Sequence, residues 1–559
     1  MSKNYSLILT NNYEKVNSKE NLLCLCLKRP FSKIDLTYET VNFPELSKKE
    51  IHDRYNFCED LYNSLFKELV IKLNSIHGIS FSSKSWGVII GRALNEIIQV
   101  NYKTFLQLDY TFKNYNINRV YTLDQNTYEL NVEDTFALES SITDEEWFFS
   151  LCSKINNHFN QNKTTVSSLP KSNSFKNSKN GNEWNTFFPR KKIFNFLVNF
   201  SKYLRFFVKL ENYGFIYNSG LPFWYEKLLE LKFKQIPQLW PEIKINYSKT
   251  NEDLRSKINF KLDEKYTSFE NYLRINLPNF LPSYVVEDFK NIKEISESKI
   301  YPKNPKFIFT SFSYAYDEVF KLYVASHVNN QIPFYVGQHG NNYFTQIHHN
   351  YAKELKYSDK FISWGAEKNS NIHGAFNFKT LGKTYVFKPK GKLIIFFPPF
   401  NQEYTYMYKN EESELKKIHS IVKIIKLLKP EIKKNTILRF HSISYRALGK
   451  KYTNFFKDLG VKFDNGLKKS KHLLKESRLT FFTYDSTGIL ENFILNVPTV
   501  FFNDKNCMQN INDEYCDRYE KLLANKIMFT REESIAEHIN TNWNSIGSWW
   551  MSETNQKTI

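Results

Sequence analysis

The chain has 559 residues, enough for two or three domains whose cores fold without metal or disulfide support. Its 77 Lys and Arg against 58 Asp and Glu leave a formal charge of +19, which points to an anionic partner without choosing among nucleotide, nucleic acid and membrane face. The six cysteines form no C-x-x-C pair, which argues against a disulfide scaffold or zinc finger, and no stretch reads as a signal peptide or reaches about 18 apolar residues. The expected location is the cytoplasm, with peripheral contact to the inner face of the membrane open to a basic surface.

Residues 5 to 10 and 22 to 27 read as two strands. Cys24 and Cys26 alternate across the second and so cannot chelate together. Ser47 to Asn74 carries Ile51, Tyr55, Cys58, Leu61, Leu65 and Leu69 at three- and four-residue spacing, the pattern of a helix with one buried face. A second helix, Ser85 to Leu106, is apolar enough to lie deep, and His77 in the intervening turn is expected to be structural. Residues 141 to 160 also read as helical. The stretch from Gln161 to Asn185 is rich in Ser, Asn and Lys and poor in aliphatics, so an exposed loop or flexible insertion is expected there. Helical runs resume at Lys191 to Leu210 and Glu226 to Phe233. The first is basic and aromatic, as helices resting on membranes are, although aromatic stripes more often mark a core.

From Lys306 the texture changes to short alternating units. A strand (Phe307 to Thr310), a helix (Ala315 to His327) and a strand (Pro333 to Val336) make a βαβ unit, and ligands in such sheets gather at the carboxyl ends of strands. Gly337-Gln338-His339-Gly340-Asn341 follows at once. Its glycines permit a tight turn that brings His339 to that edge, and a histidine there is a candidate general base with Gln338, Gly340 and Asn341 beside it. His348-His349 is a poor metal pair without further ligands, and no Asp-x-Asp stands convincingly at a strand end, so no metal and no cofactor is expected.

A basic polar linker, 366–390, leads to a second α/β series. Leu393 to Phe397 and Thr436 to Phe440 read as strands around the amphipathic helix Glu411 to Leu428, and Arg439, His441 and Ser442 fall at the end of the second strand. A strand (Leu479 to Thr483), an Asp485-Ser486-Thr487-Gly488 turn, a helix (Ile489 to Asn496) and a further strand (Thr499 to Phe502) come next. Hydroxyls at a helix start offer free N–H groups, side-chain donors and the positive end of the helix dipole to a phosphate, although they also serve as ordinary caps. The organisation expected is therefore an α/β domain over 1–365 with helical insertions and a loop near 161–185, the linker, and a nucleotide-binding α/β domain over 391–559, with a cleft between them.

Several segments together resemble bacterial transferases of surface-polysaccharide and O-antigen gene clusters. These are Leu73-Asn74 to His77 with Ser85-Trp86 and Ile89-Ile90-Gly91; Gly337 to Gly340 with Ser358-Asp359 and Trp364-Gly365; Ser486-Thr487-Gly488 with Glu491; and Trp549-Trp550. The resemblance covers most of the chain and implies a GT-B-like fold, two Rossmann-like domains facing a cleft, here with a helix-rich N-terminal elaboration. It implies a metal-independent glycosyltransferase that moves a sugar from a nucleotide-sugar co-substrate, such as a CMP-activated nonulosonic acid or Kdo-like sugar, to a surface polysaccharide or lipid-linked glycan. In CMP-sugar enzymes of this fold a His-Pro pair and a Ser-Ser/Thr pair hold the nucleotide. His441-Ser442 takes the first place without the proline, and Ser486-Thr487 matches the second in part, which leaves UDP- and CDP-linked donors open. On this reading His339 is the base, Arg439, His441, Ser442, Ser486, Thr487 and Gly488 hold the leaving phosphate, and Glu491 meets the ribose hydroxyls. A CDP-glycerol-type glycerophosphotransferase is the alternative within the enzymes. A non-enzymatic protein binding nucleic acid or anionic lipid is the alternative outside them, although no nucleic-acid motif is visible.

Overall fold

The computed structural model describes residues 3–25, 37–124, 130–142, 144–159, 165–169, 213–237, 243–298, 301–398, 407, 413–441, 445, 453–467, 470–504 and 508–559. Every strand pairing among them is parallel, and the strands form three sheets rather than two. The class is α/β and rich in helix.

The first sheet holds β1 (Asn4–Leu9), β2 (Leu22–Cys24), β3 (Tyr38–Thr40), β4 (Asn116–Leu123) and β5 (Thr165–Leu169), in the order β3-β2-β1-β4-β5. The N-terminal region, expected as a helical elaboration, thus has a sheet of its own. Strand β5 corrects the loop expected over 161–185 at five of its residues. An edge strand needs only backbone pairing, so Ser167 and Ser168 align with Tyr121 and Thr122 despite their polarity. The basic-aromatic run 191–210 lies outside the described residues.

Two long helices, Lys48–His77 and Ser83–Asn114, pack on each other, and the second touches β4. Ser47 opens the first with a capping box to Glu50, and Gly78, at φ 65°, closes it. Asn74 then fixes the turn between them: its Oδ1 accepts from the Phe81 amide at 3.0 Å and from the Trp86 indole N–H at 2.8 Å. His77 bonds the Val285 carbonyl at 2.8 Å and stacks on Phe289, so it is structural as expected. Gly91 and Gly87 are where the Tyr357 ring lies against the second helix; a Cβ on Gly87 would meet that ring at 2.3 Å.

The middle sheet runs β10-β9-β8-β7-β6, in sequential order: β6 (Gly214–Ile216), β7 (Phe307–Thr310), β8 (Phe334–Gly337), β9 (Lys360–Ser363) and β10 (Ile372–Gly374). Strand β10 lies inside the segment expected as linker. The third sheet runs β13-β12-β11-β14-β15-β16: β11 (Lys392–Phe396), β12 (Thr436–Arg439), β13 (Lys462–Asp464), β14 (Ser477–Phe482), β15 (Thr499–Phe502) and β16 (Met528–Phe529). That is the Rossmann order, whose direction reverses between β11 and β14, and ligands of such sheets bind outside the carboxyl ends at that reversal. Residues 483–487 stand there. Residues that follow strands of the middle and third sheets line one cavity. Among the described residues no helix is long and apolar enough to cross a membrane.

Candidate functional site

The histidine loop leaves β8 under close constraint. Gly337 is obligatory, because a Cβ there would meet Ser311 Oγ at 2.3 Å and the Phe378 ring at 2.7 Å. Gln338, expected in the cleft, is instead a clamp. Its Nε2 donates to the Gly340 carbonyl at 2.7 Å and its Oε1 accepts from the Trp364 amide at 2.8 Å. Further along, Asn342 and Phe344 have φ of 73° and 69°, a left-handed backbone that asparagine adopts readily but a phenylalanine holds only when its surroundings impose it. The imposing surroundings belong to the third sheet's unit: Thr345 O accepts from the Asn512 amide at 2.9 Å, Asn512 Nδ2 donates to Phe344 O at 2.6 Å, and the Ile347 amide donates to Asn510 O at 2.8 Å.

The hydroxyl turn meets this loop directly. Thr487 Oγ1 accepts from the Asn341 amide at 3.1 Å and donates to Asn341 Oδ1 at 3.2 Å. Asp485 collects three donors, Asn341 Nδ2 at 2.8 Å, Gln346 Nε2 at 3.1 Å and Tyr519 OH at 2.6 Å. The two neighbours of Thr487 do other work. Ser486 is the helix cap, accepting from the Gly488 amide at 3.3 Å, and Gly488 lies against the Phe482 ring.

Around the junction is a cavity of about 570 Å³ lined from all three units. The middle unit contributes His339, Gly340, Asn341 and Lys379; the third contributes Thr487 and His441. Among the described residues His441 Nδ1 has no hydrogen-bond partner though it is buried, and burial lowers this ring's pKa. Arg439 is turned away, its guanidinium donating to Asp464 at 2.7 Å and to the Gly466 carbonyl at 3.3 Å. Glu491 does not line the cavity but lies 3.8 Å from Lys379 Nζ. Ser442 lies outside the described residues. No group of three or more potential metal ligands occurs among the described residues, His348 and His349 included.

His339 is part of a relay. Burial, reinforced by Arg92 and Lys379, pushes its pKa down to about 3, so the ring is neutral. Its Nδ1 lies 3.0 Å from Tyr343 OH, and that hydroxyl donates to the Glu354 carboxylate. Burial and Glu354 hold the phenol well above its ordinary pKa, so it keeps its proton. With that single proton given to Glu354, the Tyr343 oxygen accepts from His339 Nδ1–H, which leaves the Nε2 lone pair free.

The opposite wall comes from the helix Ser83–Asn114, where Arg92, Asn95, Glu96 and Gln99 form a polar stripe at i, i+3, i+4 and i+7. Arg92 Nε donates to Glu96 at 3.0 Å, its Nη2 reaches Glu139, and Tyr316 OH donates to Glu139 at 2.9 Å. Burial and the nearby Glu139 push the Glu96 carboxyl up to about 8. Burial works against the Arg92 charge, but Tyr316, Glu139 and Glu96 outweigh it. None of these wall residues was singled out from the sequence; the signal was a polar stripe at helical spacing in and beside the apolar run that starts at Trp86.

The family described as LIC12162 family transferase matches residues 5–559 of the chain. No curated protein matches it in sequence. Among solved structures, a spinosyn rhamnosyltransferase, SpnG, complexed with spinosyn aglycone is similar at 10% identity and a TM-score of 0.27, over 48% of this chain and 73% of that one. The same enzyme complexed with thymidine diphosphate is similar at 7% identity and a TM-score of 0.24, with the same coverage. Both likenesses are too remote to assign substrate or residue roles.

Proposed function

We propose, from the premise that this chain belongs to the LIC12162 family of transferases, that it transfers a sugar from a nucleotide-linked donor to a hydroxyl of a glycan or lipid-linked glycan. The observation that carries the reading is the single cavity in which a neutral, relayed histidine from one sheet edge meets a hydroxyl turn at the switch point of a Rossmann-ordered sheet. His339 Nε2 takes the proton of the acceptor hydroxyl as its oxygen bonds the anomeric carbon; the bond from that carbon to the donor's phosphate oxygen breaks, and the nucleotide leaves with the electron pair.

A conjugate acid with a pKa of about 3 makes His339 a weak base in the empty site. Arg92 and Lys379 contribute to that depression, and an anionic donor between them offsets it, so the base gains strength when substrate is bound. Lys379 and His441 line the side on which the phosphate charge develops, where fixed donors and cations stabilise it most, and the Thr487 turn holds Asn341 beside them. Arg439, through Asp464, positions the His441 segment rather than touching the donor.

A thermal-shift panel of CMP, CDP, UDP, GDP and TDP tests the reading. One nucleotide is expected to stabilise the protein by several degrees, and His441→Ala to abolish that shift. CMP would favour an activated acidic sugar such as a nonulosonic acid or Kdo-like donor, and CDP the transfer of a glycerol phosphate instead. Stabilisation by none of them, or turnover that survives His339→Ala, would overturn the assignment.

A further inference from the structure

A parallel sheet is ordinarily buried on both faces, and the middle sheet is not. Ile308, Phe334, Val336 and Phe361 point into the main core. The alternate residues Phe309, Tyr335 and Ile362 are only half-buried and form the floor of an apolar groove of about 700 Å³. That volume falls in the range of small-molecule sites, roughly 300–1,000 Å³. The helix Phe223–Lys232 covers the floor in part, and its exposed Leu228 and the exposed Phe376 form the groove's sides. Trp224, on the same helix, is 75% exposed. Contiguous exposed apolar surface of this kind marks a binding site.

The groove ends at the candidate active site. Phe378 lines the groove and the next residue, Lys379, lines the catalytic cavity. Phe378 packs edge-on to Phe309 at 6.2 Å and lies against Gly337, two residues before His339. Lys383 is exposed and close enough to Lys379 for the two charges to repel. From one end to the other the surface therefore presents an apolar groove, two lysines and the proton-accepting histidine.

We propose that the groove seats the hydrocarbon chain of a lipid-linked acceptor, whose phosphate meets Lys383 and whose terminal sugar hydroxyl reaches His339. This rests on the glycosyl-transfer reading, and it names the acceptor's chemical class: chain, phosphate and sugar in the order in which the groove, Lys383 and the histidine occur. A bare membrane surface would need no groove leading to the histidine, and a soluble glycan would leave it empty.

The test is calorimetric titration of the full chain with farnesyl phosphate, alongside farnesol, inorganic phosphate and phosphatidylglycerol vesicles. Each buried methylene is worth roughly fourfold in affinity, so farnesyl phosphate is expected to bind at least tenfold more tightly than inorganic phosphate, and geranyl phosphate more weakly than farnesyl. Leu228→Glu with Phe376→Glu alters two exposed side chains and should weaken farnesyl phosphate at least tenfold while leaving the nucleotide-induced thermal shift intact. Lys383→Glu should weaken it severalfold and leave farnesol unchanged. The proposal is overturned if the groove variants bind farnesyl phosphate as the parent does, if only vesicles bind, or if the parent sediments as a dimer that Leu228→Glu dissociates, which would make a second copy the occupant. A nucleotide shift with no farnesyl phosphate binding sinks the groove alone, whereas loss of the nucleotide shift in the parent sinks the glycosyl-transfer reading.

Discussion

Tyr343→Phe separates a working relay from a packing tyrosine. The ring is buried and keeps its neighbours, with Phe361 at 5.1 Å and His349 at 5.2 Å between centroids, so the substitution removes one oxygen and little else. That oxygen makes two contacts, to His339 Nδ1 at 3.0 Å and to the Glu354 carboxylate. A hydrogen bond to a charged group is worth about 1.5–3 kcal/mol. Applied to the orientation and tautomer of His339, the same energy corresponds to a fall of roughly 10- to 150-fold in kcat. The donor's Kd should stay within about twofold, because Tyr343 acts through the histidine and not on the phosphate. The assay is steady-state transfer with the nucleotide-sugar identified by the thermal-shift panel, with donor affinity measured separately by calorimetry. Unchanged kcat in a variant whose Tm falls would refute the relay and leave Tyr343 a structural residue; weakened donor binding at constant kcat would place it on the wrong side of the site.

Ser486→Ala and Thr487→Val should differ in kind. Loss of the Ser486 cap costs about 1 kcal/mol of stability and leaves nucleotide affinity unchanged. Loss of the Thr487 hydroxyl removes two hydrogen bonds to Asn341, about 1–3 kcal/mol together, and weakens nucleotide binding severalfold; equal effects on binding would dissolve the distinction. Burial holds the pKa of His77 down at about 4, so the unfolded chain binds the extra proton first and stability falls as pH drops from about 6.5 to about 4. The loss attributable to His77 reaches about 3 kcal/mol, and urea melts of His77→Gln at pH 7.5 and 5.0 should show a flatter acid limb than the parent. Glu96 has the opposite sign. Its carboxyl keeps its proton up to about 8 in the folded chain, so stability falls as pH rises from about 4.5 to 8, and Glu96→Gln should remove that slope in melts across the same range.

The parts of the site legible in the sequence were those written locally. A glycine-flanked histidine after a strand and a hydroxyl turn before a helix both carry their chemistry within five residues, and both stand at strand ends as expected. Two of the segments that carried the family resemblance are architecture, since Asn74 receives the Trp86 indole and Asn496 receives the Trp550 indole at 2.6 Å, while the segments at Gly337–Gly340 and Ser486–Gly488 stand at the candidate site. A buried indole N–H needs an acceptor, so such pairs report packing rather than chemistry. Glu354 was illegible for a different reason. It sits in a five-residue helix with no periodicity to read, and its role exists only because Tyr343, eleven residues earlier, points at it.

What no local pattern could supply was the meeting of Asn341 with Thr487 across 146 positions of sequence. The sheet order supplies it. Because the third sheet runs β13-β12-β11-β14-β15-β16, the turn after β14 emerges at the reversal of winding, and there it meets the histidine loop. The left-handed backbone at Phe344 follows from the same junction, since the Phe344 and Thr345 carbonyls and the Ile347 amide are held by residues 510–512 of the third unit. A motion that separates the two sheets would break the bonds to residues 510–512 together with the contact between Asn341 and Thr487, so these two parts of the junction are made or lost as one.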